Sequence, residues 1–292
     1  MNDRLHHYLG AWHLSDPRPL AETRTSHLYT VTRGHETVVL KLLTDYGWEE
    51  QRGALALCHF DGRGAVRLYR SDAHAQLLEY AAGDELVSLV ERGDDEGATR
   101  IIAGVLEQLH GVPNDERRAG LLPLRDWFRA LFDKAESERA LGIESIYVQG
   151  ADLAARLLAD PLDVRVLHGD IHHRNIRQSS RGWLAFDPKG LVGERTYDCA
   201  NTLCNPFRGQ PRRDELVHDE KRLLTAAGIL ADALELDLAR VLQFTFVYAC
   251  LSASWALAIH DDDQAHWALN VGALCASSIG VPLSDLGASS SI

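Results

Sequence analysis

The stretch of the chain that most constrains its fold and chemistry runs from residue 164 to residue 190. Val164–Leu167 is a short apolar run that predicts a buried strand, and residues 183–186 predict a second one. The polar residues 179–182 lie between these runs and are typical of a turn. The sequence therefore predicts a hairpin-like pair of strands with a polar loop at each end.

Two carboxylates and one amide occupy the loops of this pair. Asp170 and Asn175 are five residues apart after the first strand, and Asp187 follows the second. Oxygen donors of this kind suit Mg²⁺, which binds through one or two carboxylates together with substrate phosphates. The same spacing serves phosphoryl transfer in kinase-like enzymes, where one Asp accepts a hydroxyl proton and the Asn and second Asp hold metal. We therefore expect Asp170 to be catalytic, and Asn175 and Asp187 to be metal ligands.

Residues 164–206 also contain a dense series of motifs. They read His-Gly-Asp-Ile-His-His-Arg-Asn-Ile from His168, Phe-Asp-Pro-Lys-Gly from Phe186, Gly-Glu-Arg-Thr-Tyr-Asp-Cys-Ala-Asn from Gly193, and Asn-Pro from Asn205. In this series the chain resembles the aminoglycoside phosphotransferase family. The resemblance is to its streptomycin 6-phosphotransferase and hydroxyurea phosphotransferase branch.

The resemblance implies an α+β fold of the bilobal protein-kinase-like kind. We expect a small antiparallel-sheet lobe over residues 1–79, a hinge over 80–83, and a larger, mainly helical lobe over 84–292. It also implies an enzyme that uses ATP and Mg²⁺ to phosphorylate a hydroxyl of an aminoglycoside-like acceptor such as streptomycin, or of hydroxyurea. Many members of the family phosphorylate ordinary metabolites, so an amino or sugar alcohol is the alternative acceptor, because fold and phosphate chemistry do not fix it.

Lys41 is the candidate for binding the nucleotide phosphates. It lies in the apolar run 38–43, in a chain with only four lysines. A buried ammonium needs a partner, because desolvating an unpaired charge costs several kcal/mol. ATP phosphates and a helix carboxylate behind them would supply it. Residues 47–59 predict that helix, with Glu49 and Glu50 as candidates, and we favour Glu50.

Two further segments are expected to contact the nucleotide. Residues 23–26 would close over the phosphates, with Ser26 offering a hydroxyl or a backbone N–H. In a kinase-like fold the backbone around Glu79, Tyr80 and Ala81 would hydrogen-bond the adenine, because a strand there runs into a flexible Ala-Ala-Gly segment. Their side chains carry little information, since the backbone performs this recognition.

The candidates on the acceptor side rest on weaker patterns. His172 and Lys189 are expected to contact phosphate or acceptor, or to support residues that do. Trp255 and Asp261 are candidates for a cationic acceptor, because Asp261 begins a run of three aspartates between helices. The competing and favoured interpretation of that run is a solvated turn in which Asp263 caps a helix.

A facial iron triad built from His168, Asp170 and a distal histidine is a different hypothesis. The candidate distal histidines are His218, His260 and His266. Such a fold would be all-β, whereas over half of this chain predicts helix, and Asn175 and Asp187 would have no role. We expect His168 instead to brace the loop, and Asp198 to tie it down. A catalytically silent kinase-like binding protein is the other alternative, and the joint presence of the catalytic and phosphate-binding candidates argues against it.

The composition limits the classes of partner that the protein is expected to bind. The net charge of −12 argues against nucleic acid and is compatible with a cationic acceptor. The five cysteines are odd in number and contain no C-x-x-C pair, which predicts reduced, buried thiols in a cytosolic protein. The N-terminus shows no apolar signal region, and no run is expected to approach the roughly 20 apolar residues of a membrane span. We expect a cytoplasmic monomer or homodimer with no membrane partner.

Overall fold

The computed structural model describes residues 2–206 and 216–281. Its N-terminal part is built on an antiparallel sheet with the strand order β1-β2-β3-β5-β4. The strands are β1 Ser15–Glu22, β2 Ser26–Arg33, β3 Glu36–Leu43, β4 Leu68–Ser71 and β5 Ala75–Glu79. The strands β3 and β5 lie where the sequence predicts strands, whereas β1 was not predicted. Every residue of β1 is exposed, so no apolar alternation marks it, and Pro17 and Pro19 are tolerated because β1 lies at the sheet edge.

Five further strands lie in the centre of the chain. They are β6 Leu122–Pro123, β7 Val164–Leu167, β8 Ile176–Ser179, β9 Gly182–Ala185 and β10 Leu191–Glu194. The predicted pairing of β7 with the strand at 183–186 is wrong. β7 pairs antiparallel with β10, whereas β9 pairs with β8 across the turn at residues 179–182. The sequence hides β8 because only its first residue, Ile176, is buried.

The rest of the described chain is mainly helical. The helices are α1 Asn2–Ala11, α2 Glu50–Phe60, α3 Val87–Glu91, α4 Asp95–His110, α5 Leu124–Trp127, α6 Arg129–Ala140, α7 Ile146–Ala159, α8 Tyr197–Leu203, α9 Glu220–Leu234, α10 Leu238–Ala258 and α11 Asp262–Ile279. Short 3₁₀ helices span Gly47–Glu49 and Glu116–Gly120. Helix α10 is central, because it packs against α6, α7, α8 and α11.

Helix α10 corrects one expectation from the sequence. By length and composition alone it could cross a membrane, since it has 21 residues and a window of mean hydropathy 1.5. The expectation that no run approaches such a length is therefore wrong. However, 72% of that window is buried inside the protein, as in the core helix of a folded domain.

Two hydrophobic clusters hold these elements together. The smaller one packs Tyr8 and Trp12 of α1 against β-sheet residues such as Val31 and Leu40. The larger one includes the helices after β5 and also the buried residues of α2, such as Phe60. Helix α2 therefore bridges the sheet and the helical part. The division of the chain at residues 80–83 stays a prediction.

Four of the five cysteines are buried free thiols, as the sequence predicts. They are Cys199, Cys204, Cys250 and Cys275. Burial raises the thiol pKa of each, to about 12 for Cys275, so that they remain protonated and unreactive at neutral pH. Cys58 differs from the prediction because it is exposed.

Candidate active site

The β8–β9 hairpin places two of the predicted site residues at its open end. The N–H of Phe186 donates to the carbonyl of Asn175 at 3.0 Å, so Asn175 and Asp187 emerge side by side. Asp187 has a φ of 62°, and this left-handed conformation turns the chain out of the strand. Asn175 Nδ2 donates to the backbone carbonyl of Asp170 at 2.9 Å, which leaves its side-chain oxygen as the atom suited to a metal.

Lys41 joins this end of the hairpin to helix α2. Its Nζ lies 2.7 Å from Glu50 Oε2 and 2.6 Å from Asp187 Oδ1. The structure thus decides between the two predicted helix carboxylates in favour of Glu50. Glu49 lies instead 3.6 Å from Arg52 in a partly exposed pair. Lys41 is only 5% exposed, so these two carboxylates balance a charge that water barely reaches.

The two charges hold each other in the ionised state. Burial opposes the charge on Lys41, but Asp187 and Glu50 outweigh it and raise the lysine pKa. Burial likewise opposes the charge on Asp187, but Lys41 and then Lys189 lower its pKa from 3.8 to about 2. Both groups are therefore charged throughout the neutral range.

Glycine residues allow α2 to approach the loop that carries Asp187. A Cβ on Gly53 would lie 2.4 Å from the carbonyl oxygen of Pro188, and one on Gly190 would lie 2.2 Å from that of Arg52. Gly190 also has a φ of 68°, which an L side chain rarely adopts. Helix and loop are in direct backbone contact, which brings Glu50 within reach of Lys41.

Asp170 lies on the other side of the loop with a partner for each carboxylate oxygen. Asn201 Nδ2 donates to Oδ1 at 2.6 Å, and Lys189 Nζ lies 3.1 Å from Oδ2. Burial opposes the charge on Lys189, but Asp170 and Asp187 raise its pKa above the usual range. Lys189 therefore places a permanent positive charge beside Asp170 and close enough to Asp187 to act on both carboxylates.

His172 lies near Asp170 but makes a weaker contact. Its Nε2 is 3.8 Å from Asp170 Oδ1, and its Nδ1 accepts from the N–H of Arg174 at 3.2 Å. Burial lowers the pKa of His172, so the ring is neutral at pH 7. Of the two residues predicted to contact phosphate or acceptor, Lys189 therefore supplies charge and His172 does not.

His168 and Asp198 brace the loop that carries Asp170, as the scaffold interpretation predicts. His168 Nδ1 accepts from the N–H of Asp170 at 3.3 Å, and Nε2 donates to the carbonyl of Phe186 at 3.0 Å. Burial lowers the pKa of His168, which agrees with a neutral ring that both accepts and donates. Asp198 accepts from the N–H groups of His168 at 3.0 Å and of Gly169 at 2.8 Å.

The iron-triad hypothesis is wrong. Both ring nitrogens of His168 are used within the loop, and His218 contacts the carbonyl of Trp267 at 3.1 Å. Over residues 2–206 and 216–281, no group of three or more His, Cys, Asp or Glu side chains could hold a metal ion. Asn175 and Asp187 fit Mg²⁺ in a different way, because this ion takes few protein ligands and completes its shell with water and phosphate oxygens.

The ion-pair cluster opens into a continuous cleft. A charged cavity of about 410 Å³ is lined by Lys41, Glu50, Asp187 and Lys189 among others. It adjoins an apolar cavity of about 280 Å³ against the sheet, and Phe186 lines both. A charged part and an apolar part in one cleft match the two ends of a nucleotide.

The predicted adenine-binding segment borders the apolar cavity. Glu79, Tyr80 and Ala81 all line it. The N–H of Glu79 donates to the carbonyl of Arg67 at 2.9 Å, and its carboxylate is held by Arg181, with Nε 2.9 Å from Oε1. Glu79 is thus tied to the fold. Among the hydrogen bonds of the described residues, none uses a peptide group of Tyr80 or Ala81.

The predicted phosphate loop lies at the cleft but is internally bonded. Ser26 is 1% exposed, its N–H donates to Thr23 Oγ1 at 3.0 Å, and its hydroxyl lies 3.1 Å from the same oxygen. The two groups of Ser26 named for phosphate binding are therefore already used within the loop. The neighbouring Thr25 donates its hydroxyl to Glu50 Oε1 at 2.8 Å, which links the loop to the ion-pair cluster.

The acceptor candidates have different surroundings. Trp255 packs edge to face with Trp127 at 5.0 Å between ring centroids, and Trp127 lines the charged cavity. Asp261 caps α11, because its Oδ1 accepts from the N–H of Gln264 at 3.0 Å. The capping interpretation of the aspartate run is therefore correct, although Asp261 rather than Asp263 is the cap.

Sequence reasoning gave no role to Asn201, which holds Asp170, or to the two side chains that contact the Asn201 amide oxygen. Asn201 and Asn205 stand inside the motifs of the central stretch, but their spacing suggests no chemistry. Tyr248 lies in an apolar helix, where an aromatic residue predicts core packing. The sequence predicts core packing for Trp127 as well, although Trp127 also lines the charged cavity. Asn201 on α8 and Tyr248 on α10 can be recognised as a hydrogen-bonded pair once the fold places the two helices together.

The bilobal arrangement and the Lys-Glu-Asp cluster define a phosphotransferase of protein-kinase-like architecture. A family model of aminoglycoside/hydroxyurea antibiotic resistance kinases matches residues 11–259. The chain belongs to this family.

Named relatives agree with the family model. Streptomycin 3''-kinase of Klebsiella pneumoniae is 35% identical over 246 residues, which cover 84% of this chain and 89% of that protein. Hydroxyurea phosphotransferase of Kitasatospora aureofaciens is 34% identical over 212 residues, with 70% and 61% covered. A thermostable mutant of an aminoglycoside phosphotransferase, solved with ADP and hygromycin B, superposes with a TM-score of 0.64 at 13% identity. That match covers 93% of this chain and 97% of the other, and it confirms the predicted fold class.

Proposed function

We propose that this protein transfers the γ-phosphate of ATP to a hydroxyl group of an aminoglycoside-like acceptor such as streptomycin, or to hydroxyurea. The observation that carries the proposal is the contact of Lys41 Nζ with both Glu50 and Asp187, at 2.7 Å and 2.6 Å. A buried ammonium with two carboxylates at the mouth of a cleft is the arrangement that phosphoryl transfer uses to hold a nucleotide. Family membership supports the same reaction.

The nucleotide would occupy the continuous cleft. Its adenine fits the apolar cavity, where peptide groups of Tyr80 and Ala81 are the candidates to hydrogen-bond the base. Its phosphates would lie against Lys41, with the loop at Ser26 above them. Asn175 and Asp187 would hold Mg²⁺, which supplies positive charge to the phosphate oxygens when bound.

Asp170 would act on the acceptor. Its carboxylate is fixed by Asn201 and Lys189, at 2.6 Å and 3.1 Å, and so is positioned to accept a proton from an acceptor hydroxyl. Lys189 would stabilise the negative charge that builds on the transferring group. Most of the rate acceleration would come from positioning and charge, as is general for phosphoryl transfer.

The acceptor would enter beside the Trp127–Trp255 pair. Indole faces attract cations, and an acidic protein favours a cationic acceptor. We therefore place Trp255 on the acceptor side, with His172 as a neutral neighbour, and assign Asp261 to capping of α11. A small amino or sugar alcohol is the second acceptor class. The cytoplasmic location and the monomeric or homodimeric state also stay predictions.

An acceptor panel tests the proposal. Purified protein with Mg·ATP is presented with streptomycin, other aminoglycosides, hydroxyurea, and amino and sugar alcohols, and ADP release is measured with Asp170→Ala as the control. We expect acceptor-dependent ADP release from the wild type with an aminoglycoside or hydroxyurea, and none from the variant. Release with the alcohols alone would reassign the acceptor. Bound Mg·ATP without release for any acceptor would favour the catalytically silent alternative.

A further inference from the structure

Asp170 is held on one side by the buried amide of Asn201, which is itself contacted by two further buried polar side chains, Tyr248 and Asn205. Asn201 on α8 donates from Nδ2 to Asp170 Oδ1 at 2.6 Å. Asn201 Oδ1 in turn accepts from the hydroxyl of Tyr248 on α10 at 2.8 Å and from Nδ2 of Asn205 at 2.8 Å. Asn201 and Asn205 are each 4% exposed, and Tyr248 is 8% exposed.

The two donors determine which way the Asn201 amide faces. An amide oxygen only accepts hydrogen bonds and an amide nitrogen only donates them. A flipped amide would set its NH₂ against the NH₂ of Asn205, and its oxygen against the carboxylate of Asp170. Both contacts are unfavourable, and more so in a buried site of low dielectric. Burial raises the pKa of Tyr248 well above its usual range, so this hydroxyl stays protonated and can donate.

We propose that Asn201 is a positioning residue that sets the side-chain rotation of Asp170, and that Tyr248 and Asn205 set the direction of Asn201. The proposal rests on the proposed function, in which Asp170 accepts the proton of the acceptor hydroxyl. With Oδ1 bound to Asn201 and Oδ2 beside Lys189, the carboxylate cannot rotate without losing both contacts. One fixed orientation of the base toward the acceptor follows.

The hydrogen-bonded series Tyr248–Asn201–Asp170 is called the relay here. Asn201→Ala and Tyr248→Phe test it at two distances from Asp170. We expect Asn201→Ala to lower kcat by about 10- to 100-fold, because misplacing a catalytic group by about 1 Å can cost on the order of 10²-fold. Tyr248→Phe removes a single hydrogen bond and should lower kcat by about two- to tenfold. The dissociation constant of Mg·ATP should stay within about twofold in both variants, because the phosphate side is untouched.

Tyr147→Phe is the matched control for the tyrosine variant. Tyr147 is also a buried tyrosine at 8% exposure in the same hydrophobic cluster, and among the hydrogen bonds of the described residues none joins it to Asn201 or Asp170. The same hydroxyl deletion there should leave kcat unchanged. Equal kcat values for Tyr147→Phe and Tyr248→Phe would overturn the role given to Tyr248.

Asn201→Asp separates positioning from packing, because it keeps the shape of the side chain. Two carboxylates at 2.6 Å repel each other when both are ionised, so at low pH the pair would share one proton, which it would lose as the pH is raised. A protonated Asp at position 201 can donate to Asp170 as the amide does. We expect kcat of this variant to fall at neutral and higher pH and to recover partly as the pH is lowered, whereas a packing defect would give a loss independent of pH.

The outcomes distinguish this proposal from the proposed function. If Asp170→Ala abolishes transfer but Asn201→Ala and Tyr248→Phe keep wild-type kcat, the relay is overturned and the function stands. If Asp170→Ala keeps wild-type kcat, Asp170 is not the base and the relay falls with that assignment, whereas the absence of ADP release with every acceptor would overturn the proposed function itself. Circular dichroism reports whether Asn201→Ala is folded, and if it is not, the pH profile of Asn201→Asp and the comparison of the two tyrosine variants decide.

Discussion

The two sides of the cleft are built in different ways. On the phosphate side, Lys41 forms direct ion pairs with both Glu50 and Asp187. On the acceptor side, the carboxylate of Asp170 is oriented by the neutral amide of Asn201 as well as by Lys189. Charge that binds a ligand leaves a pattern in the sequence. Neutral groups that only orient a catalytic side chain are visible in the structure alone.

Removal of the Asp170 carboxylate should impair the acceptor side most severely. Asp170→Ala should lower kcat by about 10²- to 10⁴-fold, the range typical of a lost general base. Mg·ATP affinity should change little, because the contacts of Lys41 with Glu50 and Asp187 remain. Steady-state ADP release with the best acceptor of the panel measures this, and near-normal kcat would exclude Asp170 as the base.

Removal of the Lys41 ammonium, which Glu50 and Asp187 share, should impair the phosphate side. Lys41→Ala leaves Glu50 and Asp187 without their ammonium, and loss of one partner of a buried ion pair costs about 3–5 kcal/mol. We expect a lower free energy of unfolding, measured with urea, together with weaker binding of Mg·ATP. Lys221→Ala is the control, since Lys221 is exposed. An equal and small effect of both variants would contradict the assignment of Lys41.

A subtler way to disturb the phosphate side is to push helix α2 away from the loop. Gly53→Ala places a Cβ 2.4 Å from the carbonyl oxygen of Pro188, and overpacking of this kind costs about 1–3 kcal/mol. The shift would also separate Glu50 from Lys41 and raise KM for ATP. Gly104→Ala on α4 is the control, because a Cβ there meets no atom within 4 Å and should stabilise the helix by about 1 kcal/mol. Stabilisation by both variants would show that α2 does not need its glycine.

The smallest expected effect is in the acid dependence of stability. The pKa of Asp187 is lowered from 3.8 to about 2, so its ionised form stabilises the fold above its ordinary pKa, and this contribution is lost as the pH falls toward about 2. Asp187 is 36% exposed, so solvent screens part of the effect. Urea unfolding of the wild type and Asp187→Asn at pH 6, 4 and 3 should show a difference that shrinks with falling pH. A constant difference would mean that ionisation of Asp187 adds nothing to stability.

The difference between the phosphate side and the acceptor side also explains which parts of the fold and of the site could be predicted from the sequence. Apolar runs fixed β3 and β5 closely, because both strands are largely buried. The pairing of β7 was predicted wrongly, since β8 carries a single buried residue and so resembles a loop. Lys41 and Asp187 are 146 residues apart, yet each stands in a pattern that predicts charge chemistry.

Asn201 shows why the remainder could not be predicted. It lies 31 residues from Asp170 and 47 from Tyr248, and neither separation corresponds to a helix or strand period. Its role depends on two hydrogen bonds that fix the direction of an amide. No property of a single sequence encodes that direction, because it is created by the packing of α8 against α10.

The most direct test of the account is the equilibrium dissociation constant of Mg·ATP for two variants measured side by side by calorimetry. Asp187→Ala removes a proposed metal ligand and a partner of Lys41, so its affinity should fall by about tenfold or more. Asp170→Ala should bind Mg·ATP as the wild type does. Equal dissociation constants for the two variants would contradict the separation of the cleft into a phosphate side and an acceptor side.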